Sequence, residues 1–537
     1  MRRLTLVVVG ALAVMLMACG EGDGAGEEAQ SANEEASEQA PAASETDDAE
    51  EEEPTEPSGE RSGELVLGMG FANSTMDPDL LPLQHMSTYL DPVYDALVRL
   101  DSEENPHPRL AESWEFGEDN GVPHLDVTLQ DGLTFPDGAE FTAETVVANV
   151  ERSVGLEGST NAAWFAGVTV DVLDDLQVRF ASEGGVGQLP RVLAGPAGMM
   201  ISQTAIADEM DLTEGAAGIG PFTLASYEQN RLVYEANDDY WNPDDAAVDR
   251  IEIVYMPDDA MLNAVRAQEV DVTLLPVRMR PTIEEAGYET VSGPGDHGTF
   301  YVVNPDLPPF DDPRVREAVS LAIDREGFCA SVWDGQCTPS GQFWGPNRPF
   351  YDPDIGIDDV PFDADAARDL VIEAGAEGAN FEILTVAGIE WQQDIANYVS
   401  EQLRTIGLDP DVNPLPPPQL ISSFAFEQNA AMTIGSSGLA FDPSVEVGRY
   451  LLPGGIYNVT DLTNDAISDL AAQGMLETDP DARNDIYREM SGLINEDRMI
   501  IPIVSQPKIY YLSPDVQGWT DPWGWQFVTL RGVGVAE

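Results

Sequence analysis

The sequence predicts an α/β fold, with strands and helices mixed along the body rather than sorted into blocks. Three observations carry this. Leu125, Val127 and Leu129 alternate with polar residues, as in a half-buried strand. In FDDPRVREAVSLAIDREGF, Asp312 can cap a helix that Pro313 starts, and Val315, Ala318, Val319, Ala322 and Ile323 share one face. Short apolar runs at 270–275 and 500–504 fall between such helices, as strands do in a mixed sheet.

Taken in order, ELVLGMG from residue 64 reads as a first strand, and residues 89–100 as a helix running into a short strand. HLDVTLQDGLTFPDG reads as a hairpin, with Asp131-Gly132 as the turn and Leu133 and Phe135 resuming the alternation. Thr142 caps a helix whose Val146, Val147, Val150 and Val154 lie on one face. Residues 218–256 read as strands broken by turns, 258–268 as a short helix and 299–303 as a strand. Asp363 opens a helix with Ala367, Leu370, Val371 and Ala374 inward and Gly375 as its stop. Ile395, Tyr398, Val399, Leu403 and Ile406 mark another, ended by Gly407, and Ile486, Met490, Leu493 and Ile494 a further one. Residues 500–504 and 508–512 are late strands, and no internal repeat is visible.

The N-terminus precedes all of this. Arg2 and Arg3 lead an uncharged apolar run to Ala18, shorter than the ~20 residues that span a bilayer as a helix. That pattern fits a signal peptide over 1–18. Leu16-Met17-Ala18-Cys19 resembles the lipobox of bacterial lipoproteins, which implies lipid on Cys19. Residues 20–60 hold 16 acidic residues, no basic one and no aromatic, so they cannot bury enough apolar surface to offset their ordering entropy. They read as an extended tether. The expected location is outside the cell, on the outer face of its membrane or in the periplasm.

The formal net charge is −72, of which residues 61–537 carry −58. Lys508 is the only lysine beside 24 arginines. Nucleic acid is excluded as a partner, because a polyanion would be repelled. An acidic, lysine-poor surface is what a salty medium or a GC-rich genome produces, and composition does not separate the two. With Cys19 assigned to lipid, Cys329 and Cys337 remain, eight apart in an exported chain where a local disulfide persists. His85, His107, His124 and His297 are scattered, with no C-x-x-C and no H-E-x-x-H, so no metal site and no cofactor is expected. No G-x-S-x-G or P-loop is present, and enzymatic activity is not expected; a glycosidase with paired carboxylates is the remote alternative.

Several stretches, in this order, resemble the family 5 extracellular solute-binding proteins of ABC importers. RLAESWEF is followed by LQDGLTFPDGAEFTAETVV; GIGPFTLASYE by ANDDYWNP and VDRIEIVYMPDDAMLNAVRAQEVDV; and PPFDDPRVREAVSLAIDRE comes last. The likeness runs from about residue 62 to 525. It implies a two-lobed periplasmic-binding-protein-like fold (type II) with an inserted subdomain and a hinged ligand cleft. Residues 62–105, 195–297 and 490–537 would form a discontinuous first lobe, 106–194 its inserted subdomain, and 298–489 the second lobe. The implied function is capture of a small solute, a di- or oligopeptide by default, and its delivery to ABC permease subunits. A monomer is expected. A nickel chelate, a sugar, an opine or a sensor role are the alternatives within the fold.

The resemblance also nominates ligand residues. In GSSGLAFDPS, Asp442 matches an aspartate that pairs with a peptide's ammonium in peptide-binding relatives, and Gly438, Leu439, Ala440 and Phe441 would offer backbone. Asp442 before Pro443 equally suits a turn. Leu439 stands where relatives commonly carry an aromatic, and Phe441 where they carry a small residue, which departs from the peptide pattern. Tyr301 and Asn304 in TFYVVN match a strand entering the cleft, Trp344 in GQFWGPN a loop rimming it, and Asn73 and Ser74 in FANSTMDP a loop facing it. Core packing and strand-end capping are the competing readings for these.

Overall fold

The structure, a computed structural model, describes residues 61–537 except 82–83, 294, 296, 461–463, 507, 520–527 and 537. The signal sequence, Cys19 and the acidic tract lie outside the described residues, as do Trp523 and Trp525.

Two large sheets organise the chain. The first has seven strands in the order 289–293, 508–512, 272–273, 64–69, 250–255, 231–236 and 222–228. The opening strand ELVLGM lies parallel to Arg250–Tyr255, with Leu67 opposite Ile253. Leu65, Leu67, Ile251, Ile253 and Tyr234 share the core on one side of that sheet. The second sheet has six strands in the order 338–339, 500–505, 298–303, 432–436, 380–386 and 409–415. Its strand Gly298–Val303 is buried at every position, which requires cover on both faces. Tyr301 packs under the helices Pro313–Ala322 and Glu390–Thr405 through Val315, Val319, Ile395 and Val399. Phe300 and Val302 face Phe343, Trp344, Tyr450 and Tyr487 on the other side. A four-stranded antiparallel sheet, in the order 111–119, 122–129, 177–181 and 169–174, packs with the helix Ala143–Gly155 as a smaller unit beside the first sheet.

The expected helix ends follow their local chemistry. Asp312 Oδ1 accepts from Arg314 N at 2.9 Å, Asp363 Oδ1 accepts from Ala366 N, and Gly375 ends its helix at φ 70°. The hairpin turn is elsewhere. Strand 122–129 turns back on 111–119 through Asn120-Gly121, whose φ values of 55° and 84° suit a two-residue hairpin. Asp131-Gly132 only leads into a loop. Residues 89–100 also differ from expectation: a 3-10 turn over Gln84–Tyr89, then turns, then the strand Val98–Leu100. Pro92 lies within this stretch, and Pro disfavours the helical conformation in the residue before it.

The chain crosses between the two large sheets twice, from 293 to 298 and from 505 to 508. The return therefore falls after residue 505, not at 490. Ile500–Ser505 pairs antiparallel with Gly298–Val302 and is buried throughout, which fixes it, and the helix Pro480–Glu496 before it, in the second lobe. The two crossings are bonded to each other: Gln506 N donates to His297 O at 3.1 Å and Ser505 Oγ to Gly295 O at 3.2 Å. A side chain at Gly295 would strike the Gln506 carbonyl at 1.4 Å, so only glycine lets these strands approach. Cys329 and Cys337 are joined as a disulfide, Cα–Cα 5.4 Å, at the end of the helix Arg325–Val332.

Candidate functional site

The site grows from the segment that follows strand Met432–Ser436. Thr299 pairs with Ser436, and Ser437 N donates to Gly298 O at 2.8 Å, so residues 437–442 leave the sheet at the end where the chain crosses between lobes. Gly438 turns the chain with φ 90°. Asp442 then caps the helix Pro443–Tyr450, its Oδ1 accepting from Ser444 N at 3.0 Å. One turn later, Glu446 reaches back and its Oε1 accepts from Gly438 N and from Leu439 N.

Three arginines converge on this segment. Arg483, from the helix Pro480–Glu496, donates from Nη1 to Asp442 Oδ2 at 2.7 Å and from Nη2 to Oδ1 at 2.9 Å. Arg348 Nη2 donates to Ala440 O at 3.4 Å. Arg191, from the first lobe's smaller unit, donates from Nε to Phe441 O at 3.3 Å. Glu104, on the loop between strands 98–100 and 106–108, accepts from Arg191 Nη2 and lies 3.1 Å from Arg348 Nε. Both guanidiniums lie against the Phe350 ring, Arg348 at 4.8 Å and Arg191 at 5.8 Å. All six charged residues are buried. Further along the same contact, Gly187 N donates to Met475 O at 3.0 Å, Gly195 packs against the Phe441 ring, and Arg278 pairs with Glu390.

Burial and pairing pull the ionisations apart. Burial would raise the Asp442 carboxyl, but Arg483 outweighs it and holds the group below the usual carboxylate range. Glu446 has no such partner: burial pushes it up to about 7, and its Oε2 has no hydrogen-bond partner among the described residues. Burial, with Arg348 and Arg483 nearby, lowers Arg191 in spite of Glu104.

The structure brings Gly438, Leu439, Ala440, Phe441 and Asp442 to the contact between lobes, but Asp442 does not present a free carboxylate there. Both its oxygens are engaged by Arg483. Tyr301 points into the helix-covered core of the second lobe. Asn304 accepts from Asp306 N as a strand-end cap. It lies beyond Val303, which pairs with Met432, at the end of the sheet away from 437–442, about 15–20 Å along the strands. Trp344 is fully buried between Phe343 and Phe350, with Nε1 donating to Tyr487 O, so it supports the ring under the arginines instead of rimming a pocket. Asn73 is buried and accepts from Thr75 N, while Ser74 is exposed. Their loop continues into Asp77 and Asp79, which pair with Arg152.

Arg191, Arg348, Arg483, Glu104 and Glu446 are the residues that sequence reasoning missed. The available signal was Arg191 itself, a lone charge inside VGQLPRVLAG.

Two lobes on separate sheets, joined by paired crossings and meeting over buried charge, define a hinged solute-binding protein. Residues 105–457, more than half of the chain, match the bacterial extracellular solute-binding proteins, family 5, and the chain belongs to that family. The glutathione-binding protein GsiB of Shigella flexneri is 24% identical over 488 residues, covering 86% of this chain and 92% of its own. Among solved structures, NikA from Brucella suis in complex with Fe(III)-EDTA has a TM-score of 0.78 at 20% identity, over 88% of this chain and 100% of that one. DppA from Helicobacter pylori in complex with the peptide STSA has a TM-score of 0.75 at 20% identity, over 89% and 99%. Members of this family are extracellular or periplasmic components of transport. No helix among the described residues is long and apolar enough to cross a membrane.

Proposed function

We propose that this chain is the membrane-tethered capture component of an ABC importer, enclosing a small solute between its lobes and presenting it to the permease subunits. The carrying observation is the contact between lobes. It is built from buried charged groups, Arg191 on one side and Arg348 and Glu446 on the other, which suits a polar ligand better than an apolar one. A di- or oligopeptide is the ligand we favour, in keeping with glutathione and STSA in the names of two relatives. The ammonium partner proposed for Asp442 gives way to Arg483. Segment 438–441 remains the backbone that meets the ligand, while Tyr301, Trp344 and Asn73 act through packing, Asn304 as a strand-end cap, and Ser74 lies exposed on its loop.

Lipid on Cys19 would hold the body at the membrane by ~0.8 kcal/mol per buried CH2, with residues 20–60 supplying reach. Replacing Cys19 by serine should move the protein from the membrane fraction to the medium. The central test is mass spectrometry of whatever co-purifies with native protein, followed by uptake of that solute in a strain lacking the gene. Unimpaired uptake would remove the transport reading and leave a sensor.

A further inference from the structure

Glu104 is an anomaly. It is 2% exposed, charged, and held at φ 65°, a backbone conformation that side-chain-bearing residues avoid. The loop that carries it is closed from within: Asp101 Oδ1 accepts from Glu103 N and Asn105 N, both at 2.8 Å. These bonds close the turn without using the Glu104 carboxylate. The partners of that carboxylate come from outside the turn. Arg191 and Arg348, contributed by different lobes and laid against the Phe350 ring, both direct their guanidiniums at the Glu104 carboxylate.

Two guanidiniums flanking one carboxylate over an aromatic face form a receptor for a planar anion. We propose that Arg191 and Arg348 receive a carboxylate of the ligand, and that Glu104 is the internal stand-in which that carboxylate displaces. This deepens the reading above and rests on it. It assigns the ligand at least one carboxylate, as a peptide C-terminus or an organic acid supplies.

The charges around the receptor agree. Arg483 is saturated by Asp442, so it does not compete for the incoming anion. Glu446, the other carboxyl at hand, is pushed up to about 7 by burial and offers less than a full negative charge at neutral pH. The two receptor arginines therefore carry more positive charge than Glu104 alone neutralises. Because one arginine belongs to each lobe, a carboxylate held by both draws the lobes together.

The test uses the mature protein and acetate as the probe, titrated against sodium chloride at fixed ionic strength and read by calorimetry and thermal shift. Glu104→Gln removes the internal occupant, so acetate should bind it at least tenfold more tightly than wild type. The gain should vanish in Glu104→Gln/Arg348→Gln. If Glu104→Gln folds poorly, Glu104→Gly serves, since glycine accepts the left-handed backbone and still removes the carboxylate. Equal acetate affinity in wild type and the Glu104 variants, or a gain that survives loss of Arg348, overturns the proposal. Either result stands apart from solute uptake in the deletion strain: acetate can fail while uptake holds, which sinks only the receptor, or uptake can fail while the anion site remains.

Discussion

The buried pair Asp442–Arg483 gives the sharpest test of how the site is built. Asp442→Asn keeps the shape of the side chain and its capacity to cap the helix Pro443–Tyr450, since asparagine caps as well as aspartate. What it removes is the charge. Arg483 would keep Gly474 O at 2.8 Å and Tyr487 Oη at 3.2 Å, but no anion, in a site where it is 4% exposed. Breaking a buried ion pair from one side costs about 3–5 kcal/mol. Asp442→Ala also loses the cap, adding about 1 kcal/mol. Urea denaturation at pH 7 should rank wild type, Asn and Ala in that order. Asp442→Leu with Arg483→Met should recover most of the loss, because a well-packed apolar pair replaces a buried ionic one at little cost. The pH dependence has a fixed sign. A carboxyl held below its unfolded value stabilises the fold above that value and loses this as pH falls through the folded one. The gap between wild type and Asn should thus be constant from pH 5 to 8 and shrink below about pH 4. If Asp442→Asn costs less than about 1 kcal/mol and instead weakens ligand binding alone, Asp442 is a ligand group after all and the pairing argument fails.

Other consequences can be read in parallel. Glu446 is raised from 4.5 to about 7, so between those values the unfolded chain ionises this group while the folded one does not, and stability falls as pH rises. The full span corresponds to about 3 kcal/mol, and Glu446→Gln should flatten that part of the stability profile between pH 5 and 8; an unchanged slope would place the titration elsewhere. At Gly187 a Cβ would lie 1.9 Å from Glu477 O, across the contact between lobes. Gly187→Ala should therefore wedge the lobes apart, seen as a larger radius of gyration in solution scattering and roughly tenfold weaker ligand binding, about 1.4 kcal/mol. Replacing both Cys329 and Cys337 by serine opens a loop of eight residues' separation and should lower the denaturation free energy by about 2–3 kcal/mol while leaving ligand affinity unchanged.

Where the fold was legible, the information was local. Asp312-Pro313 and Asp363 with Gly375 are capping chemistry that operates within a few residues, and the helices begin and end there. The hairpin turn, read at Asp131-Gly132, falls instead at Asn120-Gly121, a second local signal of the same kind. Asn120-Gly121 and Asp131-Gly132 are both hairpin turns by composition, and only the pairing of strand 122–129 with 111–119 chooses between them. The boundary at 490 failed for a longer-range reason. Ile500–Ser505 is an apolar run that would suit the core of either sheet, and its place is decided by its register against Gly298–Val302, two hundred residues earlier.

The site was less legible than the fold because charge is local and partnership is not. Asp442 looked available, since its neighbours in sequence offer it nothing but a turn; Arg483, which takes both its oxygens, is 41 residues away. Arg191 finds Phe441 O across 250 residues. In a chain with 97 acidic residues a carboxylate singles out nothing, whereas 24 arginines and one lysine are scarce enough for each to need a reason. A buried guanidinium needs one most, because the cost of taking it from water must be met by anions or carbonyls placed around it. Four arginines in this chain are buried among the described residues, and Arg325 is held by carbonyls of its own lobe. The other three are Arg191, Arg348 and Arg483, and they meet at one place. In an acidic chain the rare cation embedded in apolar sequence, as in LPRVL, marks the place where the lobes meet over buried charge. The abundant carboxylate in FDPS marked the helix cap that holds one of those cations still.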